Sequence, residues 1–516
     1  MKIKLVRLKD NRTSDVLDFP IVENIGLGYL GSTLKAKGYD AEILDEEIQD
    51  ITRNETLEKL KEADLIGFTA TARPQIYSVI DVSNELRKRG YGGHITAGGH
   101  FPTFMFRELL ENSNLDSIVL YEGEETLSEL AEAVEKGKDL GGVLGLAFKD
   151  KGETKKNHLR PLVHNLDSLP SPSRDLSGEI IEKGGLSVIS SSRGCYNRCS
   201  YCTISSFYSD PPGDRFRLRS AENVSEELRE LKKRFPNLRD IWFVDDNFVQ
   251  KGEQGYERTS KICKTLKQLG LKFDIYLRAD DVNDRVLRIM KESGLRSVFI
   301  GAEAGTNKTL KEIFRKRTGV EQTKHAIKLC KEFGINVDPG FIMFHPWSTM
   351  DEIGENIAFL KGIEEYTPYG IASFLTAYKF TPIGLEMQSE KRAYKPARTK
   401  TKDPLQDDVP YEIEDPKAEL LLDLTLKAFQ GFSQLPKSLR KLKSKARKEN
   451  NQELLKNHAQ RINGFSRASM HYFERLYSFL RRDGLNGVKD FFERVSREIE
   501  DYTSREVSDI EKILAS

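Results

Sequence analysis

The stretch Ser191-Ser192-Arg193-Gly194-Cys195-Tyr196-Asn197-Arg198-Cys199-Ser200-Tyr201-Cys202 sets three cysteines in a C-x3-C-x2-C spacing, directly after a predicted strand at 186–190. Clustering behind a glycine at a strand exit argues against three unrelated core cysteines. A structural zinc site takes four protein ligands, usually from paired Cys/His motifs. The chain has no second cysteine pair and no histidine at a useful spacing. Three thiolates can hold a cubane iron–sulfur cluster and leave one iron open to a small molecule. Cys195, Cys199 and Cys202 are therefore the candidate metal ligands. The remaining two of the five cysteines, Cys263 and Cys330, fall in helical patterns and read as small buried hydrophobes. This pattern argues against a disulfide framework and for a reducing, cytoplasmic setting.

Around the motif, strands are predicted at 186–190, 240–244, 272–277, 297–301, 336–343 and 371–378, with helices between them. One helix, at 221–235, carries Val224, Leu228, Leu231 and Phe235 at helical spacing behind Ser220 as N-cap. Six strand–helix units are too few for a closed eight-fold barrel, so an open, partial (β/α)6 TIM-like barrel over 185–385 is expected. Its chemistry belongs at the carboxyl ends of the strands. Residues 1–150 alternate in the same way, with strands at 2–8, 41–44, 65–69, 94–97 and 117–120 and helices at 26–37, 76–89 and 125–135. That alternation predicts a doubly wound, Rossmann-like α/β domain. Residues 151–184 are polar and turn-rich and read as a linker. After a charged, proline-containing stretch at 390–415, the rest of 386–516 reads as an all-helical domain placed to cap the active site. Phe429, Phe432, Phe465, Tyr472, Phe473, Tyr477 and Phe479 would form its core.

The whole chain supports this division. At 516 residues it is long enough for two to four domains. A net charge of +1 provides no global field for nucleic acid or membranes. No apolar run reaches the roughly 18 residues of a bilayer span. The first residues, Met1-Lys2-Ile3-Lys4-Leu5, alternate and read as a strand rather than a leader. Lys437–Lys448 holds seven basic residues and no acidic one, either a solvated helix face or an anion-binding patch.

The cysteine motif resembles that of the radical S-adenosylmethionine (SAM) superfamily. The resemblance implies a [4Fe-4S] cluster whose open iron chelates SAM, and a 5′-deoxyadenosyl radical made by one-electron cleavage. Tyr201 matches the aromatic position near adenine. Asp245 and Asn247, in Trp242-Phe243-Val244-Asp245-Asp246-Asn247, match the strand end that meets the methionine amine. Helix capping is the alternative for Asp245 and Asp246. Arg278 would clamp the methionine carboxylate, Glu303 would accept from the ribose hydroxyls, and Gly340 and Ile342 lie where backbone meets adenine.

The N-terminal domain is similar to the cobalamin-binding domain of the vitamin B12-dependent branch. Thr69, Thr71, Arg73, Gly98, Gly99, His100, Glu122 and Gly123 are the matching strand-end positions. The usual Asp-x-His-x-x-Gly motif is missing, so no histidine is expected to coordinate cobalt, and Arg73 or its neighbours would lie under the corrin's lower face. A vestigial domain without cofactor is the alternative. The implied activity is a cobalamin-dependent radical methyltransferase acting on an unactivated carbon of a small molecule or natural product. A cyclase or rearrangement enzyme on the same scaffold is the alternative. The resemblance also implies an external electron donor such as flavodoxin or ferredoxin, a monomer, and no nucleic-acid partner. Neither a second cluster nor a strand-rich RNA-binding terminus is legible.

Overall fold

A computed structural model describes residues 1–9, 21–397, 403–449, 451–482 and 484–515. The N-terminal strands are β1 (Lys2–Arg7), β2 (Asp40–Asp45), β3 (Leu65–Thr69), β4 (His94–Gly98) and β5 (Ser117–Val119). They pair in parallel in the order β2-β1-β3-β4-β5. Strand β3 is buried along Leu65-Ile66-Gly67-Phe68, as expected of a strand covered on both faces. The first crossover helix, Ile25–Ala36, starts where the Asn24 side chain accepts the Leu27 N–H, and the chain leaves it through Gly38 at φ +89°.

Two further strands, β6 (Leu146–Asp150) and β7 (Glu153–Lys156), extend the sheet antiparallel. This corrects the reading of 151–184 as linker from its first residues. The segment reads as polar because β7 is a largely exposed edge strand. The rest of that segment is tied down: Leu162, Leu166 and Arg174 are buried.

The central sheet begins with β8 (Ser187–Ile189). A small ladder of β9 (Ser192–Arg193) and β10 (Arg217–Leu218) then closes off the cysteine loop. It continues through β11 (Asp240–Phe243), β12 (Lys272–Leu277), β13 (Leu295–Glu303) and β14 (Asn336–Phe341). The five long strands are parallel in the order β14-β13-β12-β11-β8. The sixth position is reduced to one parallel bridge, Phe344 to Phe374, with the Leu375 N–H donating to the Phe344 carbonyl at 2.8 Å. The expected strand at 371–378 is short because Thr367 caps a helical turn, Pro368–Ala372, that uses up its first residues.

Helices Pro416–Phe429, Gln434–Lys448, Gln452–Arg482 and Val488–Ala515 pack on the last barrel elements and share one continuous apolar core with them. Phe473 meets Phe344 edge-on at 6.0 Å, and Lys361 pairs with Glu474 at 2.8 Å. Phe432, Phe465, Tyr472, Phe473 and Tyr477 are buried in that core. Part of the basic run is used internally, since Lys445 caps the carbonyls of Ile513 and Leu514 at the end of the last helix.

The 390–415 stretch, apart from 398–402, which lies outside the described residues, crosses back to the N-terminal lobe. Leu405 is buried in that lobe's core. Arg73 pairs with Asp408 at 3.3 Å, Tyr77 bonds to Asp403, and Phe104 stacks on Phe380 at 3.7 Å. Among the described residues no helix is long and apolar enough to cross a membrane. Cys263 and Cys330 are buried in helices Glu253–Leu269 and Val320–Glu332, as the sequence indicated.

Candidate active site

The cysteine loop leaves β8 through Gly194. Its φ is +80°, and a β-carbon there would stand 1.8 Å from the Arg215 carbonyl oxygen, so only glycine fits. Ser200 bolts the loop to the segment after β13, with its N–H donating to the Phe314 carbonyl at 2.9 Å and its Oγ to the Ile313 carbonyl at 2.5 Å. Asn197 donates its backbone N–H to Cys195 Sγ at 3.5 Å and its amide to Cys199 Sγ at 3.2 Å. Burial pushes all three thiols up, Cys202 to about 12. Arg278 beside Cys195 and Lys316 beside Cys199 act in the opposite direction.

Among the described residues no three His, Cys, Asp or Glu side chains close on a point as they would around a single metal ion. A cubane spreads its ligand sulfurs over separate corners, which suits three thiols on one loop. The donor set fits it: three thiols, an amide donating to sulfur, and two adjacent cations.

Strand ends surround this loop. Asp245 accepts from Ser191 Oγ at 3.0 Å and from Ser192 Oγ, and burial raises it to about 6 against those bonds. Asn247 donates to the Val249 carbonyl at 2.7 Å and to Asp281 at 3.0 Å. Neither caps a helix. Both hold neighbouring loops, and each leaves one buried oxygen, Asp245 Oδ2 and Asn247 Oδ1, without a partner. Asp246 lines the cavity described below. It accepts the Gly194 N–H at 3.1 Å, and burial together with the neighbouring Asp245 charge pushes it to about 7. The sequence placed Asp246 just past this strand end without singling it out; it lies beyond the last strand residue, Phe243, where no alternation points to it.

Arg278 lies over the Tyr196 ring at 4.9 Å, donates to its hydroxyl at 3.1 Å and pairs with Asp280 at 2.7 Å. Tyr196 donates to Asp281 at 2.7 Å. Arg278 is thus already engaged beside Cys195. Glu303 sits at φ +66°, a strained conformation for a non-glycine residue. Its carboxylate pairs with Lys316 at 3.0 Å, and its carbonyl accepts the Ile342 N–H at 2.8 Å. Tyr201 is half-buried near Glu303 and packs edge-on to Phe314 at 5.0 Å. Gly340 is in register with Gly301, and the Phe299 ring fills the space a side chain at 340 would take. Tyr201, Glu303, Gly340 and Ile342 are therefore brought together.

A cavity of ≈ 340 Å³ opens between the carboxyl ends of the N-terminal strands and the barrel. Thr69, Gly98, Gly99, His100, Glu122 and Gly123 line it from one side, and Ser192, Arg193, Phe207 and Asp246 from the other. Gly99, at φ +105°, would set a β-carbon 2.5 Å from the Ala70 carbonyl oxygen. The His100 ring stacks on Phe207 at 4.2 Å, and burial lowers it to about 4, so it is neutral at pH 7.

Two expectations for this lobe are corrected. The exposed Thr71 gives its hydroxyl to Gln75 at 3.0 Å, away from the cavity lining. Arg73, also outside the lining, is taken by Asp407 and Asp408 of the returning segment, carboxylates about 335 residues away that local sequence could not reveal. Glu122 lines the wall, but its oxygens are occupied by Arg193 at 3.0 Å, Arg217 at 2.9 Å and the Val163 N–H at 2.8 Å. A glycine-edged hollow between the two lobes, with strand-end backbone exposed, lets a bulky flat cofactor approach the main chain closely.

Sequence comparison agrees with this geometry. The radical SAM superfamily profile matches residues 189–360, and the B12 binding domain profile matches residues 20–131. An uncharacterised methyltransferase of Pyrococcus horikoshii is 31% identical over 360 residues, covering 68% of this chain and 75% of that protein. A 4′-phospho-dehydrooxetanocin synthase of Priestia megaterium is 28% identical over 67% of this chain and 49% of its own length. The solved structure of OxsB, a cobalamin-dependent SAM radical enzyme with aqua-cobalamin and SAM bound, superposes with a TM-score of 0.77. It is 23% identical and covers 99% of this chain and 80% of that one, so the shared fold extends through the C-terminal helices. The chain belongs to the cobalamin-binding radical SAM enzyme family. The family's cofactors are a [4Fe-4S] cluster, SAM and cobalamin.

Proposed function

We propose that this protein is a radical SAM C-methyltransferase that methylates an unactivated carbon of a small molecule. The observation that carries this reading is the shared wall. Ser192, Arg193 and Asp246 line the cavity of the N-terminal lobe and belong to, or bond directly to, the segment that enters the cysteine loop. Groups held by the two domains would therefore face one pocket. When bound, the cluster with SAM supplies a hydrogen-abstracting radical, and cobalamin supplies the methyl group.

The protein's own work is to bind, orient and exclude water. Cys195, Cys199 and Cys202 hold the cluster. Asp246, Asp245 and Asn247 offer oxygens to the methionine ammonium, and Arg278 offers a guanidinium to its carboxylate. Glu303 and Tyr201 face the ribose and adenine, with backbone at Gly340 and Ile342. Thr69, Gly98, Gly99, His100 and Gly123 seat the corrin. The name of the Pyrococcus relative supports methylation. The free thiols support a cytoplasmic setting; the reading further takes an external electron donor such as flavodoxin or ferredoxin and a monomeric chain.

Reconstituted protein given labelled SAM and a reductant is expected to release both 5′-deoxyadenosine and S-adenosylhomocysteine. Deoxyadenosine alone would favour ring-forming or rearranging chemistry instead. Cys199→Ala should lose the cluster absorbance and still bind cobalamin; a retained cluster refutes the ligand assignment.

A further inference from the structure

Of residues 195–202, Arg198 alone is exposed. Arg198 is therefore where this loop meets solvent most fully, three residues from Cys195 and next to Cys199 in the chain. The charges around it have one dominant sign. Arg215 is close enough to feel the Arg198 charge. The segment bolted to the loop through Ser200 carries Lys308, Lys311, Arg315 and Arg317 against a single acid, Glu312; its Lys316 is turned inward and spent on Glu303.

A second segment, 382–392, is tied to the same serine through the Ile383 N–H, which donates to the Ser200 carbonyl at 2.9 Å. Its Arg392 reaches the Glu312 carbonyl at 3.0 Å; of its two carboxylates, Glu386 is neutralised by both Arg315 and Arg392, and Glu390 is exposed beside Lys391. Arg317 is exposed and has no ion-pair partner among the described residues. In a chain of net charge +1 this is a local excess of positive charge beside the cysteine loop.

We propose that this face, centred on Arg198 and Arg317, is the docking surface for an acidic one-electron carrier protein. This rests on the radical SAM reading above. In the step served, one electron leaves the reduced carrier and enters the oxidised cluster. The carrier is oxidised by one electron, the cluster is reduced by one, and no bond is made or broken. Complementary charge raises the encounter rate by about 10- to 1000-fold and makes it fall with salt.

The test uses the reconstituted holoenzyme and a flavodoxin in its hydroquinone state. Two quantities are measured at low and raised salt: the affinity for oxidised flavodoxin, and the rate of cluster bleaching after mixing with the hydroquinone. Arg317→Glu, outside the cysteine loop, carries the decision, with Arg198→Glu and Arg198→Lys beside it. Both charge reversals should weaken flavodoxin binding and slow bleaching about tenfold or more and flatten the salt dependence, and Arg198→Lys should restore both. Bleaching by photoreduced deazaflavin, a small reductant that needs no docking, should stay within about twofold for Arg317→Glu. Unchanged flavodoxin binding and rate in Arg317→Glu, or an equal slowing with deazaflavin, would overturn the proposal. The cluster absorbance before any reductant is added reports separately on the family reading.

Discussion

Single residues set the geometry of the cysteine loop. Gly194 is the sharpest case, since its backbone is left-handed and its missing β-carbon is replaced by a carbonyl oxygen. Gly194→Ala should destabilise the protein by about 3 kcal/mol and lower the iron bound per chain, read by thermal melting and metal analysis. Asp246 makes a pH-dependent prediction. Its pKa is raised in the fold to about 7 from 3.8. A carboxyl raised in this way costs nothing below its unfolded pKa, and the cost grows as pH rises through the folded value. Cofactor-free Asp246→Asn should therefore melt higher than the parent at pH 8, with the gain shrinking as pH falls through 7 toward 4. A gain independent of pH would mean that the aspartate is not buried as described.

At the scale of elements, the returning segment around Leu405 ties the C-terminal part of the chain to the N-terminal lobe. The helices fill the open side of the barrel, and the segment at 403–409 reaches the N-terminal lobe. Leu405 is buried in a core formed otherwise by residues more than 250 positions earlier. Leu405→Ala should cost about 2–5 kcal/mol and raise amide exchange across 403–409 and helix Arg73–Lys88, measured by hydrogen–deuterium exchange. Exchange confined to the mutated turn would show that the segment does not hold the lobe. The sixth barrel strand is another element decided by its surroundings. Its apolar residues suggested a full strand, but with one neighbour and a capped turn before it only the Phe344–Phe374 bridge forms.

In the whole molecule, buried charge joins the lobes. Glu122 holds Arg193 and Arg217, while Arg174 spans Glu23 and Glu227, with Arg219 on Glu227 at 2.5 Å. Removing one member strands the others in low dielectric, so Glu122→Gln should cost about 3–5 kcal/mol and open the 157–185 region to protease. The pKa of Glu122 is lowered in the fold: burial raises it, and Arg193 and Arg217 more than offset that. Its contribution is therefore present above the unfolded carboxylate pKa, near 4.5, and is lost as pH falls through the folded one. The parent should melt progressively lower on acidification below that range, and Glu122→Gln should show less of this fall.

The cysteine spacing, the two strand–helix alternations and the strand-end positions of Thr69 and Gly98 were legible along the chain, because they depend on neighbours within one supersecondary unit, whereas Tyr201 and Glu303 stood out only through the family resemblance. Tertiary contacts decided how much of each strand-end group is spent: Arg73 is claimed by Asp408, Glu122 by two arginines from the barrel and Asp245 Oδ1 by Ser191 and Ser192, while Asp245 Oδ2 stays unpartnered and Asp246, which accepts the Gly194 N–H, lines the pocket. A motif specifies which donors exist. Only the fold brings distant charges close enough, in a low dielectric, to settle which donors are already spent.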